Sequence, residues 1–70
     1  MNRIWEPNDV VQLKSDDSIR EEFRGKLMII EDPKPWGAQG YVDTFEGRAY
    51  FRANTEQMEY VGKLPIPPEN

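Results

Sequence analysis

The sequence contains no cysteine and no histidine in 70 residues. Without cysteine there is no disulfide frame and no zinc knuckle to stiffen so short a chain. Without either residue the usual ligands for zinc, copper and haem are missing, and so are His-dependent catalytic triads. No cofactor or metal is expected. Long apolar runs are also lacking. The longest, Leu27, Met28, Ile29 and Ile30, falls far short of a membrane span. The opening residues MNRIWEP hold no apolar run of signal-peptide length. These absences lead to the expectation of a soluble cytoplasmic protein with no membrane partner. Excess positive charge is lacking too. Nine Lys and Arg stand against 13 Asp and Glu, a formal charge of −4, which disfavours broad attachment to nucleic acid or to an anionic membrane.

What the chain does have is aromatic side chains. Trp5, Phe23, Trp36, Tyr41, Phe45, Tyr50, Phe51 and Tyr60 are spread from end to end, which a disordered chain would not afford. The length suits one domain. We divide it into an N-terminal arm (1–8), a folded unit (9–64) and a proline-rich extended tail (65–70).

The run DVVQLKS at 9–15 follows the turn-forming Pro7 and Asn8 and alternates after Val11. It predicts a half-buried strand with Val11 and Leu13 on one face and Gln12 and Lys14 on the other. In 16–25, Ser18 and Glu21 have capping-box spacing, and Gly25 suits a C-terminal stop. Ile19 and Phe23, four apart, reach the core from a structured loop with a short helical turn. Residues 26–32 read as a central strand that Pro33 and Pro35 end. Residues 38–45 and 48–53 flank Glu46 and Gly47 as a hairpin. With a two-residue loop there, Tyr41 faces Arg52, Asp43 faces Tyr50 and Val42 faces Phe51; a longer, bulged loop is the alternative. Val42, Ala49, Phe51 and Ala53 then point inward, and Tyr41, Arg48, Tyr50 and Arg52 outward with Asp43 and Phe45. Residues 54–58 suggest a 3₁₀ turn with Met58 plugging the core, and 59–64 a last short strand.

Five short strands with these loops predict an all-β fold, a small five-stranded barrel. The opening run at 9–15 and the closing element EQMEYVG at 56–62 resemble those of small bacterial proteins with an SH3-like (Tudor-like) barrel. The resemblance covers about residues 8–64. It departs from the pattern at Asn8, where a glycine often precedes the Asp, and at Asp16 and Asp17, which replace a glycine-rich turn. Many such barrels have no assigned activity, so the resemblance implies a fold and a style of binding rather than a reaction. A closed barrel of this kind would use Val11, Leu13, Leu27, Ile29, Val42, Phe51 and Met58 as its core.

Catalysis finds little support. The carboxylate pairs Asp16/Asp17, Glu21/Glu22 and Glu31/Asp32 are most simply solvated surface charge, and strand neighbours such as the last pair point to opposite faces. Ser15 and Ser18 have no histidine to activate them. No phosphate-binding, dinucleotide-binding or calcium-binding loop is present. The chain is therefore read as a non-enzymatic interaction module that binds a protein partner or a second copy of itself. The candidate contact residues are Trp36, Tyr41, Arg48, Tyr50 and Arg52. Ordinary cross-strand pairing is the simpler explanation of the Tyr and Arg residues. Trp36, in a loop stiffened by Pro33 and Pro35, is either an exposed anchor or a cover for one end of the barrel, and a small core favours the cover. Trp5 is expected to pack the arm onto the barrel. Nucleic-acid binding through Arg48, Tyr50 and Arg52 is the alternative; it requires these cations, with Arg24 or Lys26, on a face free of carboxylates. Pro65 and Pro68, with Lys63 upstream, loosely match a polyproline ligand, but such matches arise readily by chance and a frayed end is the simpler reading.

Overall fold

The computed structural model describes residues 4–65. Five antiparallel strands form one sheet: β1 (Asp9–Leu13), β2 (Leu27–Lys34), β3 (Gly37–Thr44), β4 (Gly47–Asn54) and β5 (Met58–Lys63). Their spatial order, β4-β3-β2-β1-β5, is a four-strand meander with β5 returning beside β1. The fold is all-β and barrel-like, as expected, but the sheet does not close. β4 and β5 remain as edges, because no ladder joins them. The only helical elements among the described residues are two single 3₁₀ turns, Glu21–Phe23 and Thr55–Gln57. No helix among them is long and apolar enough to cross a membrane.

Alternation places the core as predicted in β1, β3 and β4. Val11 and Leu13 are buried, as are Ala38, Val42 and Ala53, with Ala49 and Phe51 packed against them. Met58 caps the core from the start of β5, Ile19 and Phe23 reach it from the long β1–β2 loop, and Trp5 from the arm. The Trp5 indole N–H donates to Thr55 Oγ1 at 3.1 Å. Phe23 and Phe51 rings meet at 4.7 Å. The close approach of β3 to β2 and β4 depends on glycine at two points of β3. A Cβ on Gly40 would lie 2.9 Å from the Ile29 carbonyl carbon and closer still to its oxygen, and one on Gly37 would meet the Ala53 backbone in the same way.

β2 departs from expectation. Met28 and Ile30 are buried, at 0% and 1% exposure, whereas Leu27 is 52% exposed and Ile29 lies on the outer face with it. The pairing of Val11 with Met28 forces this phase, since directly paired residues share a face. The strand also runs through Pro33 to Lys34 instead of ending before it. β1 pairs only with Leu27, Met28 and Ile29, so at Pro33 the far side of β2 is a free edge that needs no N–H donor.

The loops differ in detail from the sequence reading. Ser18 caps nothing: its N–H and hydroxyl both turn back to Asp16 Oδ1, and the 3₁₀ turn starts at Arg20 without a side-chain cap. The capping pair lies instead at Asn54 and Gln57, where Gln57 Oε1 accepts the Asn54 N–H at 2.8 Å. Gly25 does end its loop with φ 73°. The β3–β4 loop is Phe45 and Glu46, because Thr44 pairs with Gly47, and Gly47 absorbs a φ of 122°.

The two ends of the folded unit are fastened together. Leu64 N–H donates to Asn8 O at 2.9 Å, and Lys63 forms ion pairs with Glu6 and, at 3.6 Å, with Asp9. Asp9 is 1% exposed; its Oδ2 accepts the Glu6 N–H at 2.9 Å, closing a turn in which Asn8 adopts φ 73°. Of the predicted tail, all but Pro65 lies outside the described residues, as do the first three residues of the arm.

Candidate functional site

The outer surface of β3 and β4 collects the predicted contact residues. Register shifts each partner by two from the expected pairing: Tyr41 faces Tyr50, Asp43 faces Arg48 and Gln39 faces Arg52. A shift of two preserves the face of every side chain because the strand repeat is two. Tyr41, Arg48, Tyr50 and Arg52 therefore share the outer face, though their neighbours are not the expected ones.

The side chains form two linked groups. The Tyr41 and Tyr50 rings meet edge to face at 5.1 Å and 70°. The Arg48 guanidinium lies 5.7 Å from the Tyr41 ring centroid, held by its Nε donating to Asp43 Oδ1 at 2.9 Å. Further along the face, Arg52 lies 5.3 Å over the Trp36 ring. Trp36 sits in the β2–β3 turn, which is tied down where Thr55 N–H donates to Trp36 O at 3.1 Å. The indole is 40% exposed, so it is not the cover over the core that a small domain favours; Tyr50 is 47% exposed. A shallow groove of about 300 Å³ lies beside Trp36, lined also by Pro35, Asn54, Thr55 and Glu56.

Two residues of this face escaped the alternation argument. A bulge between Ile30 and Asp32 inserts Glu31 as an extra residue, so Glu31 and Asp32 do not split between opposite faces as expected. Glu31 Oε2 accepts the Tyr41 hydroxyl at 3.2 Å, and Asp32, paired with Gln39, lies near Tyr50. Gln39 accepts the Tyr50 hydroxyl at 3.3 Å. The charge of Glu31 raises the pKa of Tyr41 above its ordinary value. Desolvation, then Glu31, does the same to Tyr50. Both phenols thus remain neutral donors at physiological pH. Hydrogen bonding to Arg48 lowers Asp43, and the same contact raises Arg48. The face offers aromatic edges and planes, two stacked guanidinium groups and a rim of carboxylates.

The other carboxylate pairs are exposed at the surface. Asp16 belongs to its own turn, Asp17 lies 3.8 Å from Arg24, and Glu22 pairs with Arg20 at 2.9 Å. No group of three or more Asp or Glu among the described residues is arranged to hold a metal ion. Comparison with family models, with curated proteins and with solved structures finds no match to this chain.

Proposed function

We propose that this chain is a non-enzymatic interaction module, an SH3-like barrel of a small bacterial, cytoplasmic protein, that docks a protein partner on the outer face of β3 and β4. Trp36 and Arg52 form one contact group; Tyr41, Tyr50 and Arg48 form the other. The observation that carries this reading is the exposure of Trp36 and Tyr50, at 40% and 47%, the first in the β2–β3 turn beneath Arg52 of β4 and the second on β4 itself. Rigid aromatic anchors lose little conformational entropy on binding, and Trp, Tyr and Arg dominate interface hot spots. The assignment as non-enzymatic rests on the lack of histidine and cysteine and on carboxylates that are exposed or tied to neighbouring Tyr, Arg and Lys.

The carboxylates also weigh against nucleic acid as the ligand. Asp43 neutralises Arg48, and Glu31 and Asp32 lie beside the two tyrosines, so the face lacks the uninterrupted positive charge that phosphates require. A pull-down from source cells with the wild type and a Trp36→Ala/Tyr50→Ala variant tests the reading. Loss of specific partners from the variant is expected, because each truncated hot spot costs about 2 kcal/mol or more. Identical partner sets with both proteins folded would remove this face from consideration. Retention of single-stranded DNA or RNA at ~50 mM salt would replace it with the nucleic-acid reading.

A further inference from the structure

The apolar outer side of β2 adjoins the site above at Tyr41 and Asp43. Ile29 lies in a cross-strand line with Tyr41 on β3, Val10 on β1 and Gly62 on β5. Around it a groove of about 500 Å³ is lined by Val10, Leu27, Ile29 and Leu64, with Lys26 at its rim and Tyr41 and Asp43 forming its β3 wall. Leu27 and Leu64 are 52% and 40% exposed. A strand apolar on both faces is the pattern of a strand covered on both faces.

The same chain presents a matching projection. Phe45, at the tip of the β3–β4 hairpin two residues beyond Asp43, is 92% exposed. It contributes nothing to the turn chemistry, which favours Pro, Asn, Asp, Ser or Gly at such positions. The tip is nonetheless firm, because Thr44 Oγ1 donates to Gly47 O at 2.7 Å and accepts the Glu46 N–H at 3.2 Å. The charges match as well. Lys26 at the groove and Glu46 beside Phe45 have no ion-pair partner among the described residues.

A projection and a recess of complementary chemistry on one chain are what a two-fold interface requires, since each copy must offer both halves of the contact. We propose that the protein forms a symmetric dimer in which Phe45 of each copy enters the groove between β1, β2 and β3 of the other, bringing Glu46 to Lys26 of the partner subunit. The placement of Asp43 on the groove wall, next to the hairpin tip, puts both contacts near one axis. This contact covers the groove side of Tyr41 and leaves the Trp36/Arg52 group, which lies outside the groove lining, free for another protein.

Sedimentation equilibrium of the full chain at ~150 mM salt, across a concentration series reaching ~500 µM, tests the proposal. A contact carried chiefly by one ring and one ion pair from each copy belongs to the weak class, below about 1,200 Å², so a concentration-dependent dimer is expected within that range. Phe45→Ala, at a position without packing to lose, weakens it by at least about 100-fold, because each dimer loses two buried rings. Lys26→Glu and Glu46→Lys each weaken it by about 2- to 30-fold, as two exposed ion pairs per dimer become repulsive. The double swap restores it at unchanged net charge. Trp36→Ala, at a residue outside the groove lining, dimerises like the wild type, so this test and that of the docking face fail separately. A monomer throughout the series, a dimer indifferent to Phe45→Ala, or a double swap no better than either single change overturns the proposal.

Discussion

The phase of β2 is open to a direct test by the same truncation at two adjacent residues. Ile30 is 1% exposed within the core, and Ile29 sits on the opposite face against the groove. Ile30→Ala leaves a cavity among Val11, Met28, Val42 and their neighbours, and such truncations cost about 2–5 kcal/mol. A chain of this length has a total stability of roughly 4–10 kcal/mol, so the variant loses a large part of its folding free energy. Ile29→Ala removes only partly buried surface facing solvent and is expected to cost about 1 kcal/mol or less. Ile30→Val, at about 0.5–1.5 kcal/mol, supplies a graded point if Ile30→Ala does not fold. Equilibrium urea unfolding followed by tryptophan fluorescence, to which both the buried Trp5 and the exposed Trp36 contribute, measures all three. Equal costs at the two positions, or a larger cost at Ile29, would refute the phase described here and restore the inward placement of Leu27 and Ile29.

Two further expectations follow from the strands and the charged rim. Gly40→Ala forces a Cβ onto the Ile29 carbonyl and is expected to cost 3 kcal/mol or more at the order-of-magnitude level, whereas Gly62→Ala, with nothing within 4 Å of its Cβ, is near neutral in thermal unfolding; a tolerated Gly40→Ala would contradict the close β2–β3 approach. Asp43 is held below its ordinary pKa of 3.8 by hydrogen bonding and attraction to Arg48, so its contribution to stability is complete above 3.8 and is lost as pH falls through the lower folded value. Carboxyl NMR titration should find Asp43 back near 3.8 in Arg48→Ala, and an unchanged low value would remove Arg48 as the cause.

Where one side of a strand is polar, the sequence carries its own phase. Gln12 and Lys14 mark the outer side of β1, and Arg48 and Arg52 do so for β4, so Val11, Leu13 and Ala53 could be placed inward from alternation alone. The turn register of the β3–β4 hairpin was misplaced by two, yet the faces survived because the strand repeat is two. β2 offers no such marker. Leu27, Met28, Ile29 and Ile30 are apolar on both sides, and only pairing with Val11 selects which side faces the core. The bulge at Glu31 is equally silent, since nothing local distinguishes an inserted residue from one in regular alternation, and it brought Glu31 and Asp32 to the aromatic face. Trp36 resists sequence reading for another reason: whether an indole beside two prolines turns in or out depends on Arg52, sixteen positions away, rising to stack on it.

The fastening of Asn8 to Leu64, and of Glu6 and Asp9 to Lys63, means that the chain enters and leaves the fold at one point. The path between them therefore behaves as a nearly closed ring. A short polar linker could join these ends, and the chain could be reopened elsewhere, without separating any pair of strands. The unit could equally be spliced into a surface loop of a host protein, whose two loop ends need only lie as close as neighbouring strands. In either arrangement the Trp36 turn and the Phe45 hairpin tip stay continuous and outward, so both proposed contacts would travel with the cassette.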